Sequence, residues 1–394
     1  MKICQTSTCF YPALAYGGMA KVAYELSKRL AEKKHEIIVY TTDAMDINQR
    51  VKGEIQNFDG IKVFYFKNIS NTLSWHQRIS ISIGMIPVIK KSLNSFDIIH
   101  VHGFRDFQSI VINHYANKYN IPYIIQPHGS IPHNNKKIFK KIFDIIFGYK
   151  ILRDADKIFV LNKTEGDACK GMGVNADKIE SISNGIDLSE YRNLPNKGLF
   201  RQKYDIAEST KIVLYLGRIH KNKGIDLLFK AFAEVEKKTD DVKLVICGID
   251  DGYLKALKEL SKSINIKSEV LFTGFLPDKD KISAFIDANV FVTPSFTGFP
   301  LTFLEAMVCG VPILTTDKGD FIDGIDNKVG FVVKYDQNEL TRALRKILTD
   351  DDLSKHFRRN GQKIIKRYEW AIIINRIEEI YEKIRINTGL ELIT

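Results

Sequence analysis

The chain has 394 residues, which at roughly 100–200 residues per domain predicts two domains. Hydrophobic residues make up 44% and charged residues 27%, close to globular averages, so collagen-like, disordered and membrane-embedded classes are excluded. The 58 Lys+Arg against 47 Asp+Glu leave a formal charge of +11, which points to an anionic partner: nucleic acid, anionic lipid or a phosphorylated small molecule. The five cysteines (Cys4, Cys9, Cys169, Cys247, Cys309) are odd in number and lack a CxxC pair, so neither a disulfide framework nor a zinc ribbon is expected, and a reducing cytoplasm fits. The first sixteen residues hold no continuous apolar core of the signal-peptide kind, and nowhere do about 18 apolar residues run together, so export and a spanning helix are not expected.

Short apolar, β-branched runs alternate with amphipathic stretches from end to end, the pattern of βα units feeding parallel sheets. The chain opens with KICQTSTCF as a strand, YPALAYGG as a turn-rich loop, MAKVAYELSKRLAEKKH as a helix and EIIVYTTD as a second strand. Strands at IKVFYF, DIIHVHG, YIIQPHG, KIFVLN and KIESIS then complete one Rossmann-like sheet, giving a first domain over 1–192. NLPNKG marks a linker, and the plan restarts over 197–370 with KIVLYLG, the loop RIHKNKG, the helix IDLLFKAFAEVEKK and the strand VKLVICG. EVLFTGF, ANVFVTPS, VPILTTD and GFVVKY supply the remaining strands, with FLEAMVCG and ELTRALRKIL as helices between them. The last stretch, AIIINRIEEIYEKIRI, is apolar at helical spacing and suits packing on either domain.

Ligands of open α/β sheets bind beyond the carboxyl ends of the strands, so the motifs there carry the functional information. GRIHKNKG follows a strand and precedes a helix, which places Arg218 and Lys223 near a helix N-terminus while Gly217 and Gly224 permit close backbone approach. The outline is a phosphate site; a solvated basic loop is the plainer alternative. In FVTPSFTGFPLTFLEAMVCGVPI a strand ends in a Pro-Ser turn, the loop Thr297, Gly298, Phe299, Pro300 follows, and a helix begins near Leu301. Backbone N–H groups around Phe299, Leu301 and Thr302 suit a diphosphate, Pro300 has none to give, and Glu305 one turn on suits the two hydroxyls of a ribose. The alternative for Glu305 is a glutamate on the helix surface.

The ordered set GG near the start, PHG, SNGID, GRIHKNKGID, VICGIDDG, VLFTGF and PS…GFPLTFLEAM…G.PI resembles glycosyltransferase family 4 over nearly the whole chain, most closely from about 181 to 315. The resemblance implies a GT-B fold: α/β, two Rossmann-like domains facing each other across a cleft, the C-terminal one holding a nucleotide-sugar donor, the N-terminal one the acceptor, and the final helix, about 371–394, crossing back to the first domain. It implies retention of anomeric configuration, with Arg218 and Lys223 holding the donor diphosphate as it departs and His128, at the end of YIIQPHGS, beside the donor sugar. Gly17 and Gly18 match its glycine loop near donor and acceptor, and Gly217, Gly248 and Gly252 match glycines of the donor site. Glu305 matches the second glutamate of its two-glutamate motif. The first of that pair is replaced here by Thr297, which exchanges a carboxylate acceptor for a short neutral hydroxyl. Asn184 and Gly185 match an Asn-Gly turn near the hinge, which a tight turn with positive φ explains almost as well.

His100 and His102 end a strand on one face and, with His128 and His133, make a candidate metal set, but no acidic or cysteine partner follows at suggestive spacing. Asp154 and Asp156 form a DxD triplet that suits a helix end and a strand start. No metal or other cofactor is expected. The stretch 133–153 carries six basic residues and one acid, with Lys136, Lys137, Lys140 and Lys141 set against Ile138, Phe139, Ile142, Phe143 and Ile146. A basic amphipathic helix of this kind suits either a membrane surface or packing of its apolar face on the first domain's core. No nucleic-acid-binding module is recognisable, so no nucleic-acid partner is expected.

These readings converge on a retaining transferase that moves a sugar from a UDP- or GDP-sugar to a hydroxyl of a glycan or lipid-linked acceptor in cell-surface polysaccharide synthesis. It is expected in the cytoplasm, peripheral to the inner face of the membrane where it meets one. A nucleotide-sugar 2-epimerase and a non-catalytic nucleotide-sugar-binding subunit stay open as alternatives.

Overall fold

Two separate β-sheets organise the chain in the computed structural model, which describes residues 1–131, 137–296, 298–319 and 324–388. Unit 1 comprises Met1–Gly185 with Trp370–Thr394, and unit 2 comprises Ile186–Glu369.

Unit 1 contains β1 (Lys2–Ser7), β2 (Glu36–Thr42), β3 (Ile55–Phe58), β4 (Ile61–Phe66), β5 (Ile98–His102), β6 (Tyr123–Gln126), β7 (Lys157–Val160) and β8 (Ile179–Ser181), in the spatial order β3-β4-β2-β1-β5-β6-β7-β8. All pairs are parallel except β3 with β4. Helices cover both faces of such a sheet, and β5 and β6 are accordingly buried along their whole length. The strand expected from each apolar run is present. β3 was not expected: its residues IQNF set two polar residues between two apolar ones, lie at the sheet edge and are exposed or half-buried. The winding reverses between β1 and β5, so the loops after those strands flank a switch point of the doubly wound kind. The segment after β6 turns Asp144, 1% exposed and gripped by Arg105, to the protein and Ile138, Phe139, Ile142, Ile145 and Ile146 to water, so packing of this apolar face on the core, the alternative left open by the sequence, is contradicted.

The terminal helix Trp370–Asn387 belongs to unit 1. It buries Trp370, Ile373, Ile374, Ile377, Ile380, Tyr381 and Ile384, a stripe at intervals of three and four. The phenol oxygen of Tyr381 lies 2.6 Å from Nδ1 of His100 on β5, and Glu378 meets Nε2 of His35 at 2.7 Å. Gly185 packs against the first residue of this helix: a β-carbon there would come within 2.4 Å of the Trp370 ring. Gly185 is not among the residues with positive φ, so the reading of Asn184-Gly185 as a positive-φ turn is corrected; the glycine is needed for space.

Unit 2 contains β9 (Lys211–Leu216), β10 (Val242–Cys247), β11 (Val270–Gly274), β12 (Val290–Thr293), β13 (Ile313–Thr316) and β14 (Gly330–Val333), all parallel, in the order β11-β10-β9-β12-β13-β14. This is again the doubly wound order, with its switch point between β9 and β12. Helices Ile225–Glu236 and Gln337–Thr349 bury Phe229, Phe232, Leu340 and Leu344 against it. The Pro-Gly segment read as a linker lies inside unit 2. Gly198 and Arg201 donate their amides to the Asp287 carboxylate, at 2.7 and 3.1 Å, and the division between units falls instead at Gly185 and Ile186.

Because Tyr381 supplies a buried partner to His100, Tyr381→Phe is expected to lower the stability of unit 1 by about 1–3 kcal/mol, the cost of leaving a buried polar nitrogen unsatisfied, with an intact sheet. Urea unfolding followed by circular dichroism measures it.

Candidate functional site

The loops leaving β9, β10 and β12 in unit 2 carry Arg218, Lys223, Gly248, Gly298 and Phe299, which the sequence reading places around a donor. Past the strand ends, the backbone continues to pair: Gly217 donates to the Cys247 carbonyl (3.0 Å), Gly248 to Gly274 (2.9 Å), Ile219 to Ile249 (2.8 Å) and Asp251 to Ile219 (3.0 Å). The approach requires glycine at 248, where φ is 148° and a β-carbon would sit 1.8 Å from the Gly217 carbonyl oxygen. Gly224 has φ 68° and directly precedes the helix Ile225–Glu236; a β-carbon there would meet the Tyr335 hydroxyl at 2.9 Å and Pro294 at 3.1 Å, so the β9 and β12 loops touch.

Within this frame Arg218 and Lys223 are close enough for the guanidinium charge to act on the ammonium. Burial and then Arg218 push the Lys223 pKa down to about 8. Arg218 uses one nitrogen of its fork on Asp251, at 2.5 Å, and its carbonyl accepts from Tyr215 (3.0 Å). Two cations at a helix start, one with much of its guanidinium unused by that pair, form an arrangement suited to a diphosphate.

The helix Leu301–Val308 begins where the sequence places it, with Pro300 at its N-cap and no side chain capping it. Leu301 and Thr302 therefore present its first N–H groups. Gly298 has φ 72°, and Phe299 is buried against Tyr368 with ring centres 5.5 Å apart. Thr297 lies outside the described residues. Glu305 is not on the surface, which overturns the plainer alternative: it is 6% exposed, and its Oε1 lies 2.7 Å from Nζ of Lys281. Lys281 also reaches Asp278 at 2.8 Å. Burial opposes the lysine's charge, but the carboxylates of Glu305 and Asp278 outweigh it and hold the ammonium above the usual lysine range.

In unit 1, Gly17 has φ 107° and caps the helix Gly18–Glu32, with nothing within 4 Å of the place a β-carbon would occupy. The paired glycines thus leave open space at a helix start after β1. His128 follows β6 in the left-handed region, φ 53°, with Nε2 3.0 Å from Nδ1 of His102. His102 in turn lies 2.8 Å from Oε1 of Gln5 and stacks on His100 at 4.3 Å. Burial pushes His128 and His100 down to about 3 and His102 well below the usual histidine value, so all three rings are neutral at neutral pH. The His128 loop is held by buried Glu165, which accepts from Gly129 (2.6 Å) and Leu161 (3.0 Å).

His100 stacks on His102, which is hydrogen-bonded to His128; His133 lies outside the described residues, and among those residues no group of three or more His, Cys, Asp or Glu has the geometry of a metal site. Asp154 accepts from Asn113 and Asn117, and Asp156 from the Tyr123 amide, so the DxD triplet is spent on structure. Sequence reasoning missed Asp251, Lys281 and Glu165. Each pairs with a group 24 to 36 residues away on another element, beyond the reach of helix or strand periodicity. Asp251, within VICGIDDG, at least lay inside a quoted motif.

Residues 16–190 match the family model described as Glycosyltransferase Family 4, and residues 196–364 match the one described as Glycosyl transferases group 1. The chain is 25% identical to an uncharacterized glycosyltransferase of Methanocaldococcus jannaschii, over 97% of this chain and 98% of that one. It is 24% identical to alpha-monoglucosyldiacylglycerol synthase of Streptococcus pneumoniae, over 90% and 80%. Among solved structures it superposes on Anabaena HepE in complex with UDP and glucose with a TM-score of 0.78 at 17% identity, covering 97% of this chain and 100% of the other. That likeness shows the fold, GT-B.

Two outcomes follow from the electrostatics. Above pH 8 Lys223 becomes neutral and the loop loses a positive charge, so affinity for inorganic pyrophosphate measured by calorimetry is expected to fall as pH rises through about 8, and Lys223→Arg to remove that fall. Stability moves the opposite way: the unfolded lysine holds its proton up to about 10.5, so unfolding binds protons between 8 and 10.5 and this residue's contribution rises with pH there. Lys281→Met leaves the Glu305 carboxylate buried and unpaired and is expected to cost about 3–5 kcal/mol in urea unfolding, with most of it recovered in Lys281→Met/Glu305→Met.

Proposed function

Since the chain belongs to the family 4, group 1 glycosyltransferases, we propose that it transfers a sugar from a UDP- or GDP-sugar to a hydroxyl of a glycan or lipid-linked acceptor, with retention of configuration, in the synthesis of cell-surface polysaccharide. The observation that carries the reading is the pairing of Arg218 and Lys223 at the start of the helix Ile225–Glu236, beside the switch point of unit 2. HepE, whose structure holds UDP and glucose, supports a uridine nucleotide as the first donor to try.

In this reading unit 2 takes the donor and unit 1 the acceptor. The anomeric C–O bond to the diphosphate breaks while Arg218, Lys223 and the first N–H groups at Leu301 and Thr302 take up the charge of the leaving group. The acceptor oxygen bonds to the same face of the anomeric carbon, and its proton passes to the departing phosphate oxygen. Glu305, fixed by Lys281, accepts from the ribose hydroxyls through the carboxylate capacity that its ion pair leaves over. Neutral His128 is a hydrogen-bond partner for the donor sugar rather than a charge. Gly17, Gly18, Gly217, Gly248, Gly298, Phe299 and Pro300 shape the backbone around the donor. The free cysteines fit a reducing cytoplasm. Among the described residues no helix is long and apolar enough to cross a membrane, so a lipid-linked acceptor would be met at the surface of the inner face, through the stretch 133–153.

Incubation of the protein with UDP- and GDP-sugars and a hydroxyl acceptor, followed by proton NMR of the product's anomeric coupling, tests this. Retained configuration is expected, and Arg218→Ala is expected to lower kcat about 10²–10³-fold. Inverted product would overturn the retaining assignment. A 2-epimer formed without acceptor would replace the transferase reading with an isomerase, and donor binding without turnover would replace it with a binding subunit.

A further inference from the structure

Four polar side chains run in line from the helix Gly18–Glu32 to the loop after β6: Ser27, Gln5, His102 and His128. One tip of the Gln5 side chain lies 2.9 Å from the Ser27 hydroxyl and 2.8 Å from Nε2 of His102. Nδ1 of His102 in turn lies 3.0 Å from Nε2 of His128. The other tip of Gln5 is buried and meets no partner among the described residues. Ser27, Gln5 and His102 are at most 1% exposed, so their hydrogen bonds must close within the protein; His128, at the outer end, is half-buried.

The oxygen and nitrogen of a glutamine amide are told apart by their partners. The Ser27 hydroxyl has one hydrogen, and the Ala23 carbonyl, a helical turn back at 2.7 Å, can only accept it. Toward Gln5 the hydroxyl is left with lone pairs, so the tip facing it is the amide nitrogen. That nitrogen has two hydrogens and two neighbours: one hydrogen goes to Ser27 and the other to Nε2 of His102. The reverse orientation sets two oxygens 2.9 Å apart with no hydrogen between them and buries an NH2 group without an acceptor. The orientation chosen here leaves a single carbonyl oxygen unpaired, which proteins tolerate better than an unpaired N–H.

The order then propagates outward. His102 is neutral, because burial and the neighbouring rings hold its pKa well below the usual value, so it carries one hydrogen. Accepting at Nε2, it bears that hydrogen on Nδ1 and donates it to Nε2 of His128. His128, neutral for the same reason of burial, therefore bears its own hydrogen on Nδ1, a nitrogen with no partner among the described residues.

We propose that Gln5 is a positioning residue that acts through His102 to hold His128 in the Nδ1-protonated form, so that His128 meets the donor sugar as a hydrogen-bond donor to one of its oxygens. The sugar contact rests on the glycosyl-transfer reading; the placement of the hydrogen does not. A sugar hydroxyl that accepts from His128 must turn its own hydrogen to another partner, which fixes its orientation.

Nitrogen-15 NMR of the full chain with labelled histidine tests the proposal without any substrate, because protonated and bare ring nitrogens resonate far apart. At neutral pH, His102 and His128 are both expected to be protonated on Nδ1 alone; protonation of either on Nε2 overturns the proposal. In Gln5→Met each tautomer leaves one nitrogen unpaired, so both are expected to populate and the Nδ1 resonance of His128 to move toward the bare value. An unmoved resonance overturns the role of Gln5, and should that variant fail to fold, the native spectrum alone decides. In turnover of a UDP- or GDP-sugar, Gln5→Met is expected to lower kcat/KM about tenfold. His128→Asn tolerates the left-handed backbone at 128 and presents an amide that donates whatever the tautomer below it. In that background Gln5→Met is expected to cost nothing further, whereas additive losses would mark Gln5 as merely structural and overturn the proposal. Absence of turnover with every donor would count against the transferase reading and leave the tautomer to be decided by the spectrum.

Discussion

The carbonyl oxygen of Gly217 occupies the place that a side chain at 248 would need, and the rest of unit 2's candidate site follows from that approach. Parallel strands normally part company at their carboxyl ends, where their loops diverge toward separate helices. Here the backbone of β9 and β10 goes on pairing for several residues past the sheet, through Ile219, Ile249 and Asp251. The pairing brings the carboxylate of Asp251 to Arg218 and turns the chain so that Lys223 ends one residue before the Gly224 cap. A loop free to wander would spend binding energy on ordering two long cations; a laced one has met that cost during folding.

Unit 1 meets a different constraint, how to bury polar rings without charging them. Its histidine column lies within and just beyond strands that are buried on both faces, so each ring must find its partners inside: Tyr381 for His100, Gln5 for His102, and His102 itself for His128. Desolvation keeps the rings neutral, and neutral imidazoles accept and donate without repelling one another. The same economy appears at Asp144, where a buried carboxylate is matched by the two-pronged guanidinium of Arg105. That tie decides which way the neighbouring helix faces, because a paired charge on the inner side leaves the apolar side nowhere to go but out.

Much of this was legible in the sequence, for identifiable reasons. Runs such as KIVLYL and EIIVYTT are continuous and β-branched because both faces of a parallel strand are covered, and such runs stand out from helices. IQNF did not stand out, being a polar edge strand held by a hairpin. Arg218, Lys223 and the helix start at Leu301 were legible because glycine and proline punctuate the ends of elements. Asp251, Lys281 and Glu165 were not, since what gives them a role is a partner on another element. Periodicity stopped short at 137–154, where amphipathicity revealed two faces but not which one meets the protein. A single ion pair, Arg105 with Asp144, settled that, and no pattern of spacing announces it.

Unit 1 is built from two stretches of chain, and its last helix carries the residue that completes the His100 pairing. On a ribosome that makes the chain from its amino end, every residue of unit 2 emerges before Tyr381 does. The sheet bearing His128 must therefore wait, without its closing helix, while a whole neighbouring unit is synthesised and folds. During that interval the faces of β5 and β7 that Tyr381 of the helix Trp370–Asn387 will cover stay open, which makes the first unit made the last one finished.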